Sequence, residues 1–221
     1  MQTNATSLTF ANHTLFCVNF AADTLHAADL LWLSHHAQLA RAVPRRQAEH
    51  LAGRMAAVMA LRHAGSEDSA PGIGAHREPL WPAGFTGSIT HTAGVAMAVA
   101  LKTANPADGV GIDLEALLDD ADAYEIADDV VNPQERRLLE ARALPFPLAL
   151  TLAFSAKESL FKALFPQVGT WFGFDCAEVI ALEEARLTLR LRRALGPLPP
   201  HALFTVHWQR RENHLLTLAR L

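Results

Sequence analysis

The order of helical and strand-like stretches constrains the fold of this chain more than any other feature of its sequence. One long helix is predicted at residues 45–63, and a two-stranded hairpin follows at residues 87–102. A second long helix is predicted at residues 145–165, and it is followed by strands that pair as hairpins. Because each half combines one long helix with a small antiparallel sheet, we predict an α+β fold. Its two similar halves, residues 1–104 and 105–221, are expected to pack face to face in a pseudo-two-fold arrangement.

Composition argues against several classes of protein. With 221 residues, half of them apolar, the chain can bury a sizeable core. Its formal net charge of −4 argues against nonspecific binding to nucleic acid, and no apolar run is long enough to predict a transmembrane segment. The N-terminal residues do not have the pattern of a signal peptide. The two cysteines, Cys17 and Cys176, lie far apart in apolar runs, so we expect buried free thiols in a cytoplasmic protein.

The second long helix carries a lysine in the middle of its apolar face. At about 100° per residue, Lys157 falls almost at the centre of a stripe formed by Ala153, Phe154, Leu160, Phe161 and Leu164. A buried ammonium is costly unless it meets an anion, so this position demands an anionic partner, which we expect on the substrate. Glu158 and Lys162 lie at one border of the stripe, where a simple i,i+4 surface pair is the alternative to a functional role. We predict that this helix forms one wall of an anion and metal site.

An acidic strand precedes this helix. In the segment 109–115, apolar residues alternate with a second face made of Gly109, Gly111, Asp113 and Glu115. Two carboxylates at i and i+2 lie about 7 Å apart at Cα, and the glycines leave their side open for close approach. Mg²⁺ prefers such oxygen ligands and fills its remaining positions with water and substrate phosphate. The pattern therefore predicts a Mg²⁺ site, and the alternative is an exposed edge strand with solvated acids.

The first long helix has a polar flank. Arg46 and Arg54 lie about 12 Å apart on nearly one side, with His50 between them. This flank suits a phosphate clamp, and a solvated face with Arg–Glu pairs is the alternative. The loop that follows contains Arg77, and it contains Trp81 with a proline on either side. A rigid loop with an aromatic ring and an arginine suits the binding of a flat base and a charged group. A loop pinned by a buried tryptophan fits this pattern equally well.

The hairpin of the first half places Thr90 and His91 at or beside its turn. A histidine at the end of a strand can bind phosphate. A lone histidine is more often structural, so the sequence leaves both interpretations open.

Three segments together resemble the 4′-phosphopantetheinyl transferases: Gly87-Ser-Ile-Thr-His91, Gly109-Val-Gly-Ile-Asp-Leu-Glu115 and Phe154-Ser-Ala-Lys-Glu-Ser-Leu-Phe-Lys162. The chain is similar to the enterobactin-synthetase-component-D type of this family, within the larger surfactin-synthetase-activating group. The spacing of Arg46 and Arg54 and the motif from Arg77 to Pro82 also fit this type. The resemblance covers about residues 44–175.

The resemblance implies an enzyme, a holo-carrier-protein synthase that transfers phosphopantetheine from coenzyme A (CoA) to a serine of an apo acyl, aryl or peptidyl carrier protein. Adenosine 3′,5′-bisphosphate is the implied second product. Mg²⁺, or Mn²⁺ in its place, is then held on the CoA pyrophosphate by Asp113, Glu115 and Glu158. Glu158 is also the implied base for the serine proton, directly or through a metal-bound water, and Lys162 contacts the pyrophosphate. The implied catalytic residues are thus Glu158, Lys162 and Asp113, and the implied CoA-binding residues are Arg46, Arg54, Arg77, Trp81, Thr90, His91, Lys157 and Lys162.

Two other functions would use these residues differently. A Mg²⁺-dependent phosphohydrolase would cleave a nucleotide-like diphosphate with the same carboxylates, and a non-catalytic scaffold subunit of a synthetase would not need them. The expected process is the activation of siderophore or other secondary-metabolite synthetases, next to the synthetase assembly. Because two halves could close one site internally, we expect a monomer.

Overall fold

The computed structural model describes residues 1–68, 70–105, 107–142 and 144–221. The chain divides into two units, Met1–Pro106 and Ala107–Leu221. Each unit has its own hydrophobic core and its own antiparallel sheet.

The N-terminal unit is a four-stranded antiparallel sheet with one long helix packed on it. Its elements are β1 (Gln2–Phe10), β2 (His13–Ala21), α1 (Pro44–His63), the short strands β3 (Gly72–Ile73) and β4 (Pro79–Leu80), β5 (Phe85–Thr92) and β6 (Val95–Lys102). The strand order is β1-β2-β6-β5, and β3 pairs with β4 as a separate two-stranded ribbon. Three short 3-10 helices connect β2 to α1.

Small residues let α1 lie close to its sheet. Four buried alanines recur every fourth residue along the helix and pack in one cluster with the buried alanines of β6: Ala48, Ala52, Ala56, Ala60, Ala96, Ala98 and Ala100. At Gly53 a Cβ atom would lie 2.9 Å from Cγ2 of Ile89 on β5, which is closer than such atoms normally approach. The helix begins with Pro44 in its first turn, where the missing N–H group costs no intrahelical hydrogen bond.

The C-terminal unit is a five-stranded antiparallel sheet covered by helices. Its elements are β7 (Val110–Ala116), α2 (Asp120–Val130), α3 (Pro133–Glu140), α4 (Phe146–Val168), β8 (Ala177–Leu182), β9 (Arg186–Leu191), β10 (Leu203–Arg211) and β11 (His214–Arg220). The strand order is β7-β11-β10-β9-β8, so the acidic strand β7 lies at one edge. No described helix, α4 included, is long and apolar enough to cross a membrane.

The predicted α+β class, with one long helix on a small antiparallel sheet in each half, is confirmed. The start of α3 and the end of α4 follow the usual sequence patterns of helix caps. Asn132 caps α3. The side chain of Glu135, at the third position of the helix, accepts a hydrogen bond from the Asn132 N–H group, and the two contacts form a capping box. Helix α4 ends three residues later than predicted, at Val168. The next residue, Gly169, has a φ of 67° and donates its N–H group to the Phe165 carbonyl.

The glycines of β7 allow the close approach that was predicted, and the structure shows what approaches. They do leave their side of the strand open for a close approach, but what approaches is the backbone of α4 and not a substrate. A Cβ atom at Gly111 would lie 1.8 Å from the Ser159 carbonyl oxygen, and one at Gly109 would lie 1.8 Å from the Ala163 carbonyl oxygen. The alternative of solvated acids on an exposed edge is also wrong for Asp113, which is 3% exposed.

Candidate active site

Asp113 lies at the centre of a polar cluster between β7 and α4. Its two carboxylate oxygens have different partners. Lys162 Nζ donates to Oδ1 over 2.7 Å, and Ser155 Oγ donates to Oδ2 over 2.8 Å. Both partners lie on α4, seven residues and therefore about two turns apart. The close approach of α4 at Gly111 brings both side chains within reach of this carboxylate.

Glu115 and Glu158 bring two further carboxylates to the same cluster. The pKa of Glu115 is raised to about 7, first by burial and then by the neighbouring charges of Asp113 and Glu158, while Lys162 opposes the shift. The pKa of Glu158 is raised by burial and by Asp113, again against the effect of Lys162. One ammonium thus faces three carboxyl groups. Such a site stabilises added positive charge, whether as a proton on a carboxyl group or as a bound cation.

This donor set fits a hard divalent cation. Carboxylate oxygens are the ligands that Mg²⁺ prefers, and Mg²⁺ commonly uses only one or two of them and takes its other ligands from water and substrate phosphate. In the described part of the chain, no three His, Cys, Asp or Glu side chains converge as a ready-made metal site. At Asp113, Oδ1 accepts a hydrogen bond from Lys162, and a carboxylate has further lone pairs with which to bind a cation.

Lys162 is engaged within the protein. Its ammonium binds Asp113 and also donates to the Ile112 carbonyl over 3.0 Å, and its side chain remains 25% exposed. The alternative of a simple surface pair with Glu158 therefore does not describe its position. The contact of Lys162 with a pyrophosphate stays a prediction.

Lys157 has a different partner from the one expected. Its ammonium, in a residue only 4% exposed, lies 2.7 Å from Glu135 Oε1 and donates to the Val130 and Phe174 carbonyls. Burial lowers the pKa of Lys157, and Glu135 counteracts that shift. The anion that its position demands is therefore a protein carboxylate and not a substrate group. This removes the reason for placing Lys157 among the CoA-binding residues.

A cavity of about 220 Å³ opens beside Glu158. Its lining is mainly apolar and aromatic: Lys157, Glu158, Leu160, Phe161, Trp171, Phe172, Gly173, Phe174 and Ala177. The ring of Phe161 contacts those of Trp171 and Phe172 with centroids 4.7 and 4.8 Å apart. This aromatic wall of the cavity was not predicted, although three aromatic residues within four positions, 171–174, are visible in the sequence.

A second polar cluster lies in the N-terminal unit. Arg46 on α1 donates to His91 Nε2 on β5, which requires that nitrogen to be unprotonated. Glu49 lies 3.6 Å from Arg46 and 3.7 Å from His91 Nδ1, and Arg45 donates to its other carboxylate oxygen. The structure thus brings the predicted Arg46 and His91 together. The alternative of a helix face with Arg–Glu pairs is also partly correct, since such a pair is present on this flank.

Arg54 is buried and holds a loop. Its guanidinium donates from Nε to the Pro71 carbonyl over 2.7 Å and from Nη2 to the Gly72 carbonyl over 2.9 Å. Burial and the nearby charge of Arg46 lower the pKa of Arg54 to about 10, so it stays charged at neutral pH. Two of its three nitrogens are thus committed to positioning the loop. The predicted phosphate contact of Arg54 is not tested.

The other predicted CoA-binding residues of this unit are spread over β5 and the preceding loop. The Trp81 ring packs over Gly87, where a Cβ atom would lie 2.6 Å from it. This contact favours the alternative of a loop pinned by its tryptophan. Arg77 is exposed in the turn between β3 and β4 with a φ of 68°, and Thr90 is buried on β5.

Comparison with protein families gives two adjoining matches. Residues 34–101 match the 4′-phosphopantetheinyl transferase N-terminal domain, and residues 109–219 match the 4′-phosphopantetheinyl transferase superfamily. The second match spans the acidic strand β7 and helix α4.

Individual proteins give the same result. The chain is 44% identical to enterobactin synthase component D of Salmonella typhi over 218 residues, which cover 99% of this chain and 90% of that protein. It is 41% identical to enterobactin synthase component D of Escherichia coli K12 over 220 residues, covering 100% of this chain and 99% of that protein. The 4′-phosphopantetheinyl transferase PptT of Mycobacterium tuberculosis is 34% identical over 142 residues, which are 64% of this chain and 61% of that protein.

Proposed function

The chain belongs to the 4′-phosphopantetheinyl transferase superfamily, and from that premise we propose how its residues divide the work of the reaction. The enzyme transfers the phosphopantetheine group of CoA to carrier proteins. In this reaction the hydroxyl oxygen of a carrier serine forms a bond to the phosphorus that bears the pantetheine arm. The bond from that phosphorus to the bridging oxygen breaks, and adenosine 3′,5′-bisphosphate leaves.

The observation that carries the proposal is the carboxylate cluster beside an apolar cavity. Glu158 belongs to both, since it lines the cavity and lies within the electrostatic reach of Asp113 and Lys162. A carboxylate whose pKa is raised accepts a proton more readily than an ordinary one. We assign to Glu158 the role of base for the carrier serine.

Lys162 and Asp113 stabilise charge on the phosphates. A lysine ammonium next to the transferred group lowers the energy of the charge that develops on the departing oxygen. Asp113 holds that ammonium through Oδ1, and the Ile112 carbonyl fixes it further. The proposed roles are therefore electrostatic for Lys162 and orienting for Asp113.

Asp113, Glu115 and Glu158 are the proposed ligands of a divalent cation, with Mg²⁺ as the expected ion and Mn²⁺ as a substitute. Enzymes of this family use CoA and typically a divalent metal. Bound here, the cation would neutralise pyrophosphate oxygens as the leaving group departs. Burial is the main cause of the raised pKa values of Glu115 and Glu158. A cation bound by these carboxylates would offset the cost of burying their charges, which supports this assignment.

The cavity beside Glu158 is proposed to hold the pantetheine arm. That arm is a flexible chain with apolar segments and two amide groups, and cavities with an apolar lining and few polar groups bind such molecules. Phe161, Phe172 and Phe174 supply apolar walls, and Glu158 and Lys157 supply the polar end. Lys157 is thus placed at the cavity as part of its wall and not as a phosphate ligand.

The N-terminal unit is proposed to bind the phosphate and adenine groups of CoA. Arg46 and His91 form the phosphate grip, and Arg54 positions the loop that carries Arg77 and Trp81. Thr90 lies next to His91 on β5, and we propose that it also contacts CoA. The support is the concentration of positive charge on one flank of α1.

The carrier is proposed to belong to a siderophore synthetase. The support is the similarity, over nearly the whole chain, to enterobactin synthase component D from two bacteria. Acyl, aryl and peptidyl carrier domains share the serine that the reaction needs, so all three are candidate substrates. We place the protein in the cytoplasm, as a monomer, and the buried thiols of Cys17 and Cys176 suit a reducing compartment.

The test is incubation of the protein with CoA, Mg²⁺ and a panel of apo carriers of the three kinds, followed by mass spectrometry. We expect the carrier to gain the mass of one phosphopantetheine group on its serine. Cleavage of CoA without any carrier modification would instead support the phosphohydrolase alternative, which the family matches do not favour. An aryl carrier modified faster than the others would support a siderophore synthetase as the partner.

A further inference from the structure

A chain of three hydroxyl groups runs behind Asp113. Ser155 and Ser159 on α4 and Thr217 on β11 are all completely buried. Ser155 Oγ lies 2.9 Å from Thr217 Oγ1, and Ser159 Oγ lies 2.6 Å from the same atom. Completely buried hydroxyl groups in an otherwise apolar contact are retained only when each finds a partner. These three find their partners in one another and in Asp113.

The direction of the chain follows from counting hydrogens. An ionised carboxylate only accepts, so Ser155 must donate its single hydroxyl hydrogen to Asp113 Oδ2. Ser155 therefore cannot donate to Thr217, and the Thr217 hydrogen is directed towards Ser155, where both the carbonyl and the hydroxyl oxygen lie 2.9 Å away. The remaining contact takes its hydrogen from Ser159. The Ser155 hydrogen thus points to the carboxylate, the Ser159 hydrogen to Thr217, and the Thr217 hydrogen to Ser155, whose backbone carbonyl accepts it.

The sheet register explains why Thr217 occupies this place. Thr217 is paired directly with Asp113 between β11 and β7, so both side chains are on the face that α4 covers. Gly111, two residues before Asp113, lets the Ser159 carbonyl approach this face. Strand pairing, helix packing and the hydroxyl chain therefore fix the same carboxylate.

We propose that Thr217 and Ser155 are positioning residues, which hold Asp113 in the orientation that binds the divalent cation. The inference rests on the proposed metal role of Asp113. With Oδ2 fixed by Ser155, the carboxylate cannot rotate, and Oδ1 stays directed to the side of Lys162. Groups that hydrogen-bond to metal ligands typically change metal affinity or activity about 10- to 100-fold when they are removed.

Two substitutions at Thr217 separate the hydroxyl from the shape of the side chain. Thr217→Val keeps the branched shape and removes the hydroxyl, whereas Thr217→Ser keeps the hydroxyl and removes the methyl group. The readout is the dissociation constant of Mn²⁺, measured by electron paramagnetic resonance of the free ion on the full chain with CoA present and no carrier. We expect Thr217→Val to weaken Mn²⁺ binding about 10-fold or more, and Thr217→Ser to bind within about twofold of the unsubstituted protein.

Ser155→Ala is the second variant and removes the direct donor to Asp113, so it should weaken Mn²⁺ binding at least as much as Thr217→Val. The matched control is Thr151→Val on the same helix, because the buried Thr151 hydroxyl bonds to the Pro147 carbonyl and the Leu118 N–H group, and neither of these bonds involves Asp113. Thr151→Val should leave Mn²⁺ affinity unchanged. Circular dichroism melting identifies any variant that fails to fold, in which case the remaining variants decide the question.

Two results would overturn the inference, and they differ in what else they overturn. Unchanged Mn²⁺ affinity in folded Ser155→Ala or folded Thr217→Val would show that the hydroxyl chain only stabilises the fold, and would leave the proposed metal site intact. Failure of the unsubstituted protein to bind Mn²⁺ would overturn the proposed metal site together with this inference.

Discussion

Lys157 and Glu135 form a buried ion pair in which Nζ lies 2.7 Å from Oε1 and both side chains are 3% exposed. Both oxygens of the Glu135 carboxylate also have backbone partners. Oε1 also accepts from the Val179 N–H group, and Oε2 accepts from the Asn132 N–H group that begins α3. One carboxylate therefore joins α3 to β8 and to the lysine of α4, next to Glu158.

Removing one partner of this pair should destabilise the C-terminal unit strongly. Glu135→Gln leaves the Lys157 ammonium buried without a carboxylate, and Lys157→Met leaves the carboxylate uncompensated. Each change should lower the free energy of unfolding by about 3–5 kcal/mol, measured by urea denaturation.

The double variant Lys157→Met with Glu135→Gln removes both charges, so it should recover part of this loss. Glu183→Gln is the control, because it disrupts an exposed pair with Arg186 and should change stability little. Single variants as stable as the unsubstituted protein would contradict the buried pair.

Lys162 should be needed for the chemical step. Lys162→Met removes the ammonium assigned to the pyrophosphate, and losing one such electrostatic contact typically lowers kcat about 10²- to 10³-fold. Lys162→Arg keeps the charge and should retain an intermediate rate. The measurement is the rate of carrier modification at saturating CoA and Mg²⁺. A full rate for Lys162→Met would assign the lysine to folding alone.

Gly111 should tolerate no side chain. In Gly111→Ala the added Cβ atom would lie 1.8 Å from the Ser159 carbonyl oxygen, so α4 must shift away from β7. We expect a loss of stability of about 1–3 kcal/mol, as for other overpacked interiors, together with a marked loss of transferase activity. The matched control is Gly72→Ala, where the nearest atom would lie 3.7 Å away. Thermal melting and carrier modification measure the two effects, and a fully active Gly111→Ala would contradict the close packing.

Acid should destabilise the N-terminal unit through a histidine pair. Nε2 of His35 lies 2.8 Å from Nε2 of His50, so at least one of these nitrogens must be unprotonated. Burial, and then the charge of Arg54, lower the pKa of His50 to about 3, against 6.5 for the ordinary residue. Because the folded-state pKa is the lower one, the contribution to stability is present above pH 6.5 and is lost progressively as pH falls towards about 3.

The pH dependence can be measured by thermal melting between pH 7.5 and pH 5. We expect the melting temperature of the unsubstituted protein to fall over this range. His50→Gln cannot take up the proton and should show a smaller fall. Equal slopes for the two proteins would mean that other groups cause the acid sensitivity.

The sequence predicted that the Lys157 ammonium needs an anionic partner, but it did not predict which residue provides the anion. Helical periodicity correctly placed an ammonium in an apolar face, and electrostatics correctly required an anion. The pattern around Glu135 is that of a capping residue at the start of α3, a role that uses one of its oxygens. The other oxygen reaches a residue 22 positions away, and such a contact depends on how α3 and α4 pack, which periodicity does not encode.

The hydroxyl chain was missed for a similar reason. Ser155 and Ser159 are one turn apart on an apolar helix, and Thr217 is a polar residue in an apolar strand. Each is ordinary by itself, and only the pairing of β11 with β7 puts Thr217 opposite Asp113. By contrast, the acids of β7 and the strands and helices around them could be predicted from the sequence, because strand alternation and helix caps depend on neighbouring residues.

The most direct test of the account is Asp113→Asn, assayed by mass spectrometry for transfer of phosphopantetheine to an apo carrier over a range of Mg²⁺ concentrations. The amide keeps the shape of the side chain and can still accept from Ser155, but it removes the charge that Lys162 and the cation share. The control is Asp129→Ala, an exposed acid on α2. We expect the Asp113→Asn rate to fall by about 10²-fold or more, most severely at low Mg²⁺, while Asp129→Ala stays active. A folded Asp113→Asn protein with a near-normal rate at low Mg²⁺ would contradict the proposed site.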